Sequence, residues 1–231
     1  MPSIQKPPTK RAWVRLPSGR RLNLLDPTPF DFEASDLAIG AARTVRWGGH
    51  SVWEWPLSVA QHSLTVLAIG EAEAAKPLTP LQKLAFLLHD ASECLGVCFD
   101  PISPLKPFLG EGYKALDQAL QTAVHHRFGL PALLPPAWKK PIKAADKRAA
   151  AAEAVFVAGW SLTECREALG IHTPPLALDP LNPSTAGCRG SPGPPALPPN
   201  GLARRWRGWW SSARKRWSPA ASPAHNSPAQ H

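Results

Sequence analysis

Between Pro80 and Gly96 the chain reads PLQKLAFLLHDASECLG, and this run constrains the fold more than any other. Its apolar residues nearly surround a helix axis, the pattern of a helix with neighbours on every side. Pro80 suits a first helical position, where no N–H is needed, and Gly96 supplies a stop. Yet His89, Asp90 and Glu93 lie inside the run. A carboxylate buried without a partner costs on the order of several kcal/mol, so such groups are neutralised, paired or bound to a cation. A chain with this segment needs a multi-helix core, and other elements must bring to that core whatever balances these side chains.

The remainder of the chain supplies the other helices. Residues 12–25, AWVRLPSGRRLNLL, form two semi-alternating runs about Pro17-Ser18-Gly19 and predict a small β-hairpin. In FDFEASDLAIGAARTVRW, acids early and spaced apolar residues predict a helix to about Arg43, broken by Gly48-Gly49. Pro56 opens LSVAQHSLTVLAIGEAEAA, in which Leu57, Ala60, Leu64, Leu67 and Ala68 keep helical spacing and His62 falls within the helix. Beyond the loop DPISPLKP, helices are predicted over 111–127, about 142–159 and 161–169. No βαβ alternation appears. The expected fold is all-α, a bundle of about five to seven helices with a small N-terminal hairpin. Cys94 and Cys98 are read as buried packing residues, and His125 and His126 as exposed residues at a helix end.

Charge divides the chain at about residue 180. Residues 182–231 hold nine prolines, no acidic residue and seven basic ones, so a formal net charge of +9 belongs mostly to this stretch. The preceding part carries 19 basic and 17 acidic side chains and is nearly neutral, which removes the electrostatic argument for a nucleic-acid-binding domain. The expected organisation is one domain over 1–180 and a disordered Pro/Arg/Trp-rich tail over 181–231. Trp206, Trp209, Trp210 and Trp217 interleave with arginines there and suit weak contact with nucleic acid or an anionic surface. Cys94, Cys98, Cys165 and Cys188 form no CxxC pair, which fits a reducing compartment. The N-terminus lacks the apolar core of a signal peptide, and no run approaches the roughly 18 apolar residues of a membrane span. A cytoplasmic protein is expected.

A His-Asp dipeptide alone says little, since eight histidines and eight aspartates in 231 positions give about 0.3 such pairs by chance. Its context says more. On a buried helix the two side chains occupy neighbouring azimuths and suit adjacent positions on one cation, with two further ligands from facing helices. The order of a histidine in SVAQHS, the pair in LLHDASE and an aspartate in AADKRAAAAEA resembles the HD-domain metal-dependent phosphohydrolases. The likeness is to the branch of bacterial 5′-deoxynucleotidases and phage-type HD proteins. It spans roughly residues 12–170 and includes RLPSGRRLNLLDP, RWGGH and SPLKP. The chain departs from the family pattern at GVCFDPISPLK, with extra residues ahead of Asp100 and the proline moved forward.

The resemblance implies an HD-type helical bundle that binds one divalent ion through His62, His89, Asp90 and Asp146. It makes Arg46 a phosphate-binding residue, Glu93 and Asp100 acids that help place the attacking water, and Trp47 a wall of the nucleotide pocket. It implies hydrolysis of the 5′-phosphomonoester of a deoxynucleotide.

The residue types agree. Two imidazoles and two carboxylates suit Mn²⁺, Co²⁺, Fe²⁺, Zn²⁺ or Mg²⁺ rather than a thiolate-bound structural zinc, and four protein ligands leave positions for water and a phosphate oxygen. Glu93, four residues after His89, is expected on the same helix face, where it can orient that water or take its proton. Arg46 suits a charge-assisted phosphate contact, or alternatively a cation at a helix C-terminus. Asp146 has an alternative too, a pair with Lys143 or Arg148 on its own helix. The ligands do not separate a phosphomonoesterase from a nucleotide phosphodiesterase or pyrophosphohydrolase, because pocket shape around the leaving group decides that. A nucleic-acid or anionic-surface binding protein acting through its tail is the competing class. The expected partners are a small-molecule nucleotide and a second copy of the chain.

Overall fold

A computed structural model describes residues 11–176. The segment read as a tail, with its tryptophans and Cys188, lies outside the described residues. The architecture is the expected one, a mostly helical chain with a small N-terminal hairpin. Strands β1 (Trp13–Arg15) and β2 (Arg21–Asn23) pair antiparallel with Val14 opposite Leu22. The hairpin is docked by Ser18, whose backbone N–H and hydroxyl both donate to the Asp36 carboxylate at 2.8 and 2.6 Å. Asp36 belongs to the first turn of α1 (Ala34–Arg43), where it also accepts from the Glu33 N–H at 2.8 Å.

Caps fix where the central helices begin. Helix α2 (Val59–Glu73) starts at the Ser58/Gln61 capping box rather than at Pro56, because that box satisfies two N–H groups that Pro56 leaves open. Helix α3 (Pro80–Leu87) starts at the Thr79/Gln82 box with proline in its first position. Then come α4 (Gly110–Arg127), α5 (Pro136–Phe156), which begins before the expected Ile142, and the short α6 (Leu162–Glu167). The mostly buried α2 packs against α1, α3 and α5. No helix among the described residues is long and apolar enough to cross a membrane.

The main departure from expectation lies in α3, which ends at Leu87 instead of running to Gly96. In a continued α-helix the Ser92 N–H would reach the Leu88 carbonyl. Gln121 of α4 stands between them: its Oε1 accepts from Ser92 N at 3.0 Å and its Nε2 donates to Leu88 O at 2.7 Å. The Ser92 hydroxyl also donates to Asp117 of α4, at 2.6 Å. A side chain inserted into the i→i−4 ladder breaks a helix, and the chain tightens into a 3-10 turn over Ala91–Cys94. His89, Asp90 and Glu93 therefore do not share the face of one regular helix.

Gln121 is held from behind by His125. This residue is buried, not exposed as its place near the end of α4 suggested, since its Nδ1 donates to Ala132 O at 2.9 Å and its Nε2 meets Gln121 Nε2 at 2.9 Å. His126 is exposed, as expected. Cys94 is buried, whereas Cys98 is exposed because the chain has left the helix by then. Glycine permits two close approaches: a Cβ at Gly70 would enter the Phe86 ring, and one at Gly40 would collide with the Cys94 carbonyl, so α1 lies directly against the 3-10 turn.

Two outcomes follow. Gly40→Ala has to push backbone from backbone and is expected to destabilise the protein by about 1–3 kcal/mol in urea titrations. Burial holds the His125 pKa below the ordinary 6.5 despite its carbonyl partners. The unfolded chain then binds the proton more readily, so this contribution to stability is complete above pH 6.5 and is lost as pH falls from there. Denaturation at pH 7.5 and 5.5 should show a smaller difference in His125→Gln than in the wild type.

Candidate metal centre

Helix α2 carries His62 one turn past its cap, and the ring is fully buried. Its Nδ1 lies 2.6 Å from Glu153 Oε1 on α5. His89 stands where α3 breaks, and its Nδ1 lies 2.8 Å from the Phe86 carbonyl. A carbonyl or carboxylate oxygen only accepts, so both rings carry a proton on Nδ1 and turn Nε2 toward each other. The two Nε2 atoms are 3.2 Å apart. Asp90 Oδ2 lies 3.4 Å from the first and 3.2 Å from the second, and Asp146 Oδ1 of α5 lies 3.4 and 3.9 Å from them.

One ligand atom from each of His62, His89, Asp90 and Asp146 falls within 4.8 Å of all the others. Ligands about 2.1 Å from one ion stand roughly 3.0 Å apart at right angles and about 4.2 Å apart when opposite. The Nε2–Nε2 distance and the four Nε2–carboxylate distances, 3.2–3.9 Å, fall in that window. Two ring nitrogens facing two carboxylates call for positive charge between them, a proton on the ring or an ion in its place, so the residues fit a divalent ion.

Electrostatics point the same way. Burial and the Arg46 charge press the His62 ring toward neutrality, yet Glu153, Asp146 and Asp90 hold its pKa well above the imidazole value, so without an ion a second proton sits on Nε2 where a cation would replace it. Burial would raise the pKa of Asp90 and Asp146, but His89 and His62 bring Asp90 well down, and the His62 hydrogen bond lowers Asp146. Glu153, buried but facing Arg46 and His62, falls to about 2.

Arg46 is brought to this cluster by backbone pairing. An isolated antiparallel bridge joins Val45 to Ser58, with Arg46 N donating to Leu57 O at 2.8 Å and Val59 N to Thr44 O at 2.9 Å. Arg46 Nε then donates to Glu153 Oε2 at 2.9 Å and its Nη1 to Asp100 Oδ2 at 3.1 Å, with Asp90 Oδ2 at 3.7 Å. Trp47 follows at φ +56°, a left-handed conformation unusual outside glycine, and its Nε1 donates to Glu153 Oε2 at 3.3 Å.

Arg46, Trp47, Asp90, Asp100 and Asp146 all line one pocket of about 410 Å³. Lys106, Lys143 and Lys147 add positive charge to its wall, and residues 169–173 form another side. Glu93 reaches the pocket indirectly: Lys106 Nζ donates to its Oε1 at 2.7 Å, while Oε2 is buried without a hydrogen-bond partner. Burial, Asp90 and Asp100 push the Glu93 carboxyl up to about 9 against the pull of Lys106. Its backbone carbonyl accepts from Phe99 N at 3.1 Å and so anchors the loop that carries Asp100.

Arg46, Trp47, His62, His89, Asp90, Glu93, Asp100 and Asp146, the candidate site residues, are thus in or beside one cluster. Asp146 satisfies both of its readings, with Oδ2 2.8 Å from Lys143 and Oδ1 in the cluster. Sequence reasoning missed Glu153, the place of Lys106, Lys143 and Lys147 on the pocket wall, and the 169–173 segment. The signal for Glu153 was present, since it lies two turns after Asp146 as an isolated acid in AAAAEAVF.

Chelator-stripped protein is expected to bind one equivalent of Co²⁺ or Mn²⁺. At about 100 times the dissociation constant the ion adds about 2.7 kcal/mol, a rise in Tm of roughly 5–10 °C for a chain of this size. Asp146→Asn should lose most of that rise in a thermal-shift titration.

No family model matches the chain. An uncharacterized protein of Rhodobacter capsulatus is 48% identical over 167 residues, which cover 72% of this chain and 84% of that protein. The chain belongs to the same family as this Rhodobacter capsulatus protein.

Proposed function

We propose that the protein is a metal-dependent phosphohydrolase of the HD type that cleaves the 5′-phosphomonoester of a nucleotide, deoxynucleotides foremost. The observation that carries this reading is the placement of four cluster groups beside a pocket whose wall holds Arg46, Lys106, Lys143 and Lys147. Its volume, about 410 Å³, lies within the range of sites for small organic molecules, roughly 300–1,000 Å³. His62, His89, Asp90 and Asp146 would hold the ion, which supplies Lewis acidity toward a phosphoryl oxygen and a water.

The protein's own groups do the rest. Arg46, already fixed by Glu153 and Asp100, contributes a guanidinium to the charge that builds on the phosphoryl oxygens. Lys143 and Lys147, a turn apart on α5, add attraction for a dianion. Asp100 in the pocket and Glu93 behind Lys106 are the carboxyl groups that exchange protons with the attacking water. The indole of Trp47 and the side chains of Ile102 and Ile171 offer apolar walls to the sugar and base.

Stripped protein reloaded with Mn²⁺ or Co²⁺ is expected to release inorganic phosphate from 5′-nucleotides in a substrate panel. His89→Ala and Asp90→Ala should each abolish release. Activity that survives both substitutions and EDTA would refute the reading. Products other than inorganic phosphate, from cyclic nucleotides or pyrophosphate linkages, would transfer it to phosphodiester or pyrophosphate hydrolysis.

A further inference from the structure

We infer that Glu153 is the positioning residue that fixes His62 in its metal-ligating tautomer, and that Arg46 and Trp47 enforce this by occupying the second oxygen of the same carboxylate. The inference rests on the metal-binding reading of the four-residue cluster and concerns how that cluster is kept competent.

The geometry divides the Glu153 carboxylate cleanly. Oε1 faces His62 Nδ1 at 2.6 Å, while Oε2 receives Arg46 Nε at 2.9 Å and Trp47 Nε1 at 3.3 Å. The residue is 1% exposed, so solvent offers these donors no substitute. Arg46 and Trp47 have no acceptor to offer, whereas an imidazole nitrogen either donates or accepts. A carboxylate suits all three partners at once, because each of its oxygens only accepts. In the neutral ring it leaves the proton on His62 Nδ1 and the lone pair on Nε2, the atom 3.2 Å from His89 Nε2 and 3.4 Å from both Asp90 and Asp146.

An amide in the same place breaks the symmetry. In Glu153→Gln the single oxygen must serve Arg46 and Trp47, since neither tolerates a buried NH₂ opposite its own N–H. The NH₂ then faces His62 Nδ1, which meets it only as an acceptor. The ring proton moves to Nε2, where it points into the cluster and removes one ligand. Glu153 thereby selects the ligating form of a ring on another helix, 91 positions away.

The test uses the full chain stripped by chelator. Calorimetry with Co²⁺ should show Glu153→Gln about 10–100-fold weaker than the wild type, and Glu153→Asp, which keeps two acceptor oxygens, weakened by less than about tenfold. Nitrogen-15 NMR of the imidazoles, recorded without metal at alkaline pH, should find His62 protonated at Nδ1 in the wild type and the Asp variant, and at Nε2 in the Gln variant. A folded Gln variant with unchanged tautomer and Co²⁺ affinity within about twofold of wild type overturns the inference, as that residue would then be structural only. If Glu153→Gln does not fold, the other two proteins decide, and a wild-type His62 protonated at Nε2 overturns it. Wild-type protein that binds no Co²⁺ removes the metal reading, while the tautomer measurement still rules on Glu153.

Discussion

The site depends on the contact that Gln121 makes between Leu88 and Ser92. Without it the run from Pro80 would continue as one helix, and successive residues would point about 100° apart around its axis. With it the backbone turns sharply after Leu88, so His89 and Asp90 both approach His62. A residue on α4 that touches none of the four cluster groups thus sets the direction of two of them. His125, buried behind Gln121, holds its amide in the required orientation.

The second organising constraint is electrostatic. Asp90, Asp100, Asp146 and Glu153 crowd into a largely dry region, and like charges at this density would not coexist unaided. Arg46 meets three of them, and the imidazoles attend to the rest. With both imidazoles neutral the four converging atoms are all acceptors, an arrangement that suits a cation. Lys106 and Lys143 of the pocket wall, 41% and 61% exposed, stand nearer solvent than Asp90 and Asp146, at 20% and 15%, so the outer wall is positive and the carboxylates lie behind it.

Much of this was legible along the chain where the determining interactions are local. The hairpin and the Pro80 helix start depend on residues within a few positions of one another, whereas His62, His89-Asp90 and Asp146, far apart along the chain, were legible through the resemblance of their ordered motifs to a family pattern. The break after Leu87 was not legible, because Gln121, 29 positions beyond Ser92, decides it and reads by itself as an ordinary polar helix residue. His125 looked exposed for a similar reason: its partner carbonyl at Ala132 lies beyond the end of its helix. Glu153 escaped because an acid in an alanine-rich helix normally marks a solvated face, and its partners at 46, 47 and 62 come from the far half of the chain.

The bridge between Val45 and Ser58 has a consequence for how such a chain can diversify. It ties the base of the excursion through Trp47 and Trp55, so Arg46 and the start of α2 keep their separation whatever the intervening residues do. Beyond Trp47, which lines the pocket and bonds Glu153, residues 48–56 can change in sequence or length while the groups around His62 stay where they are. The loop beyond Trp47 is in this way separable from the cluster, and relatives sharing the cluster are free to differ there in both length and sequence.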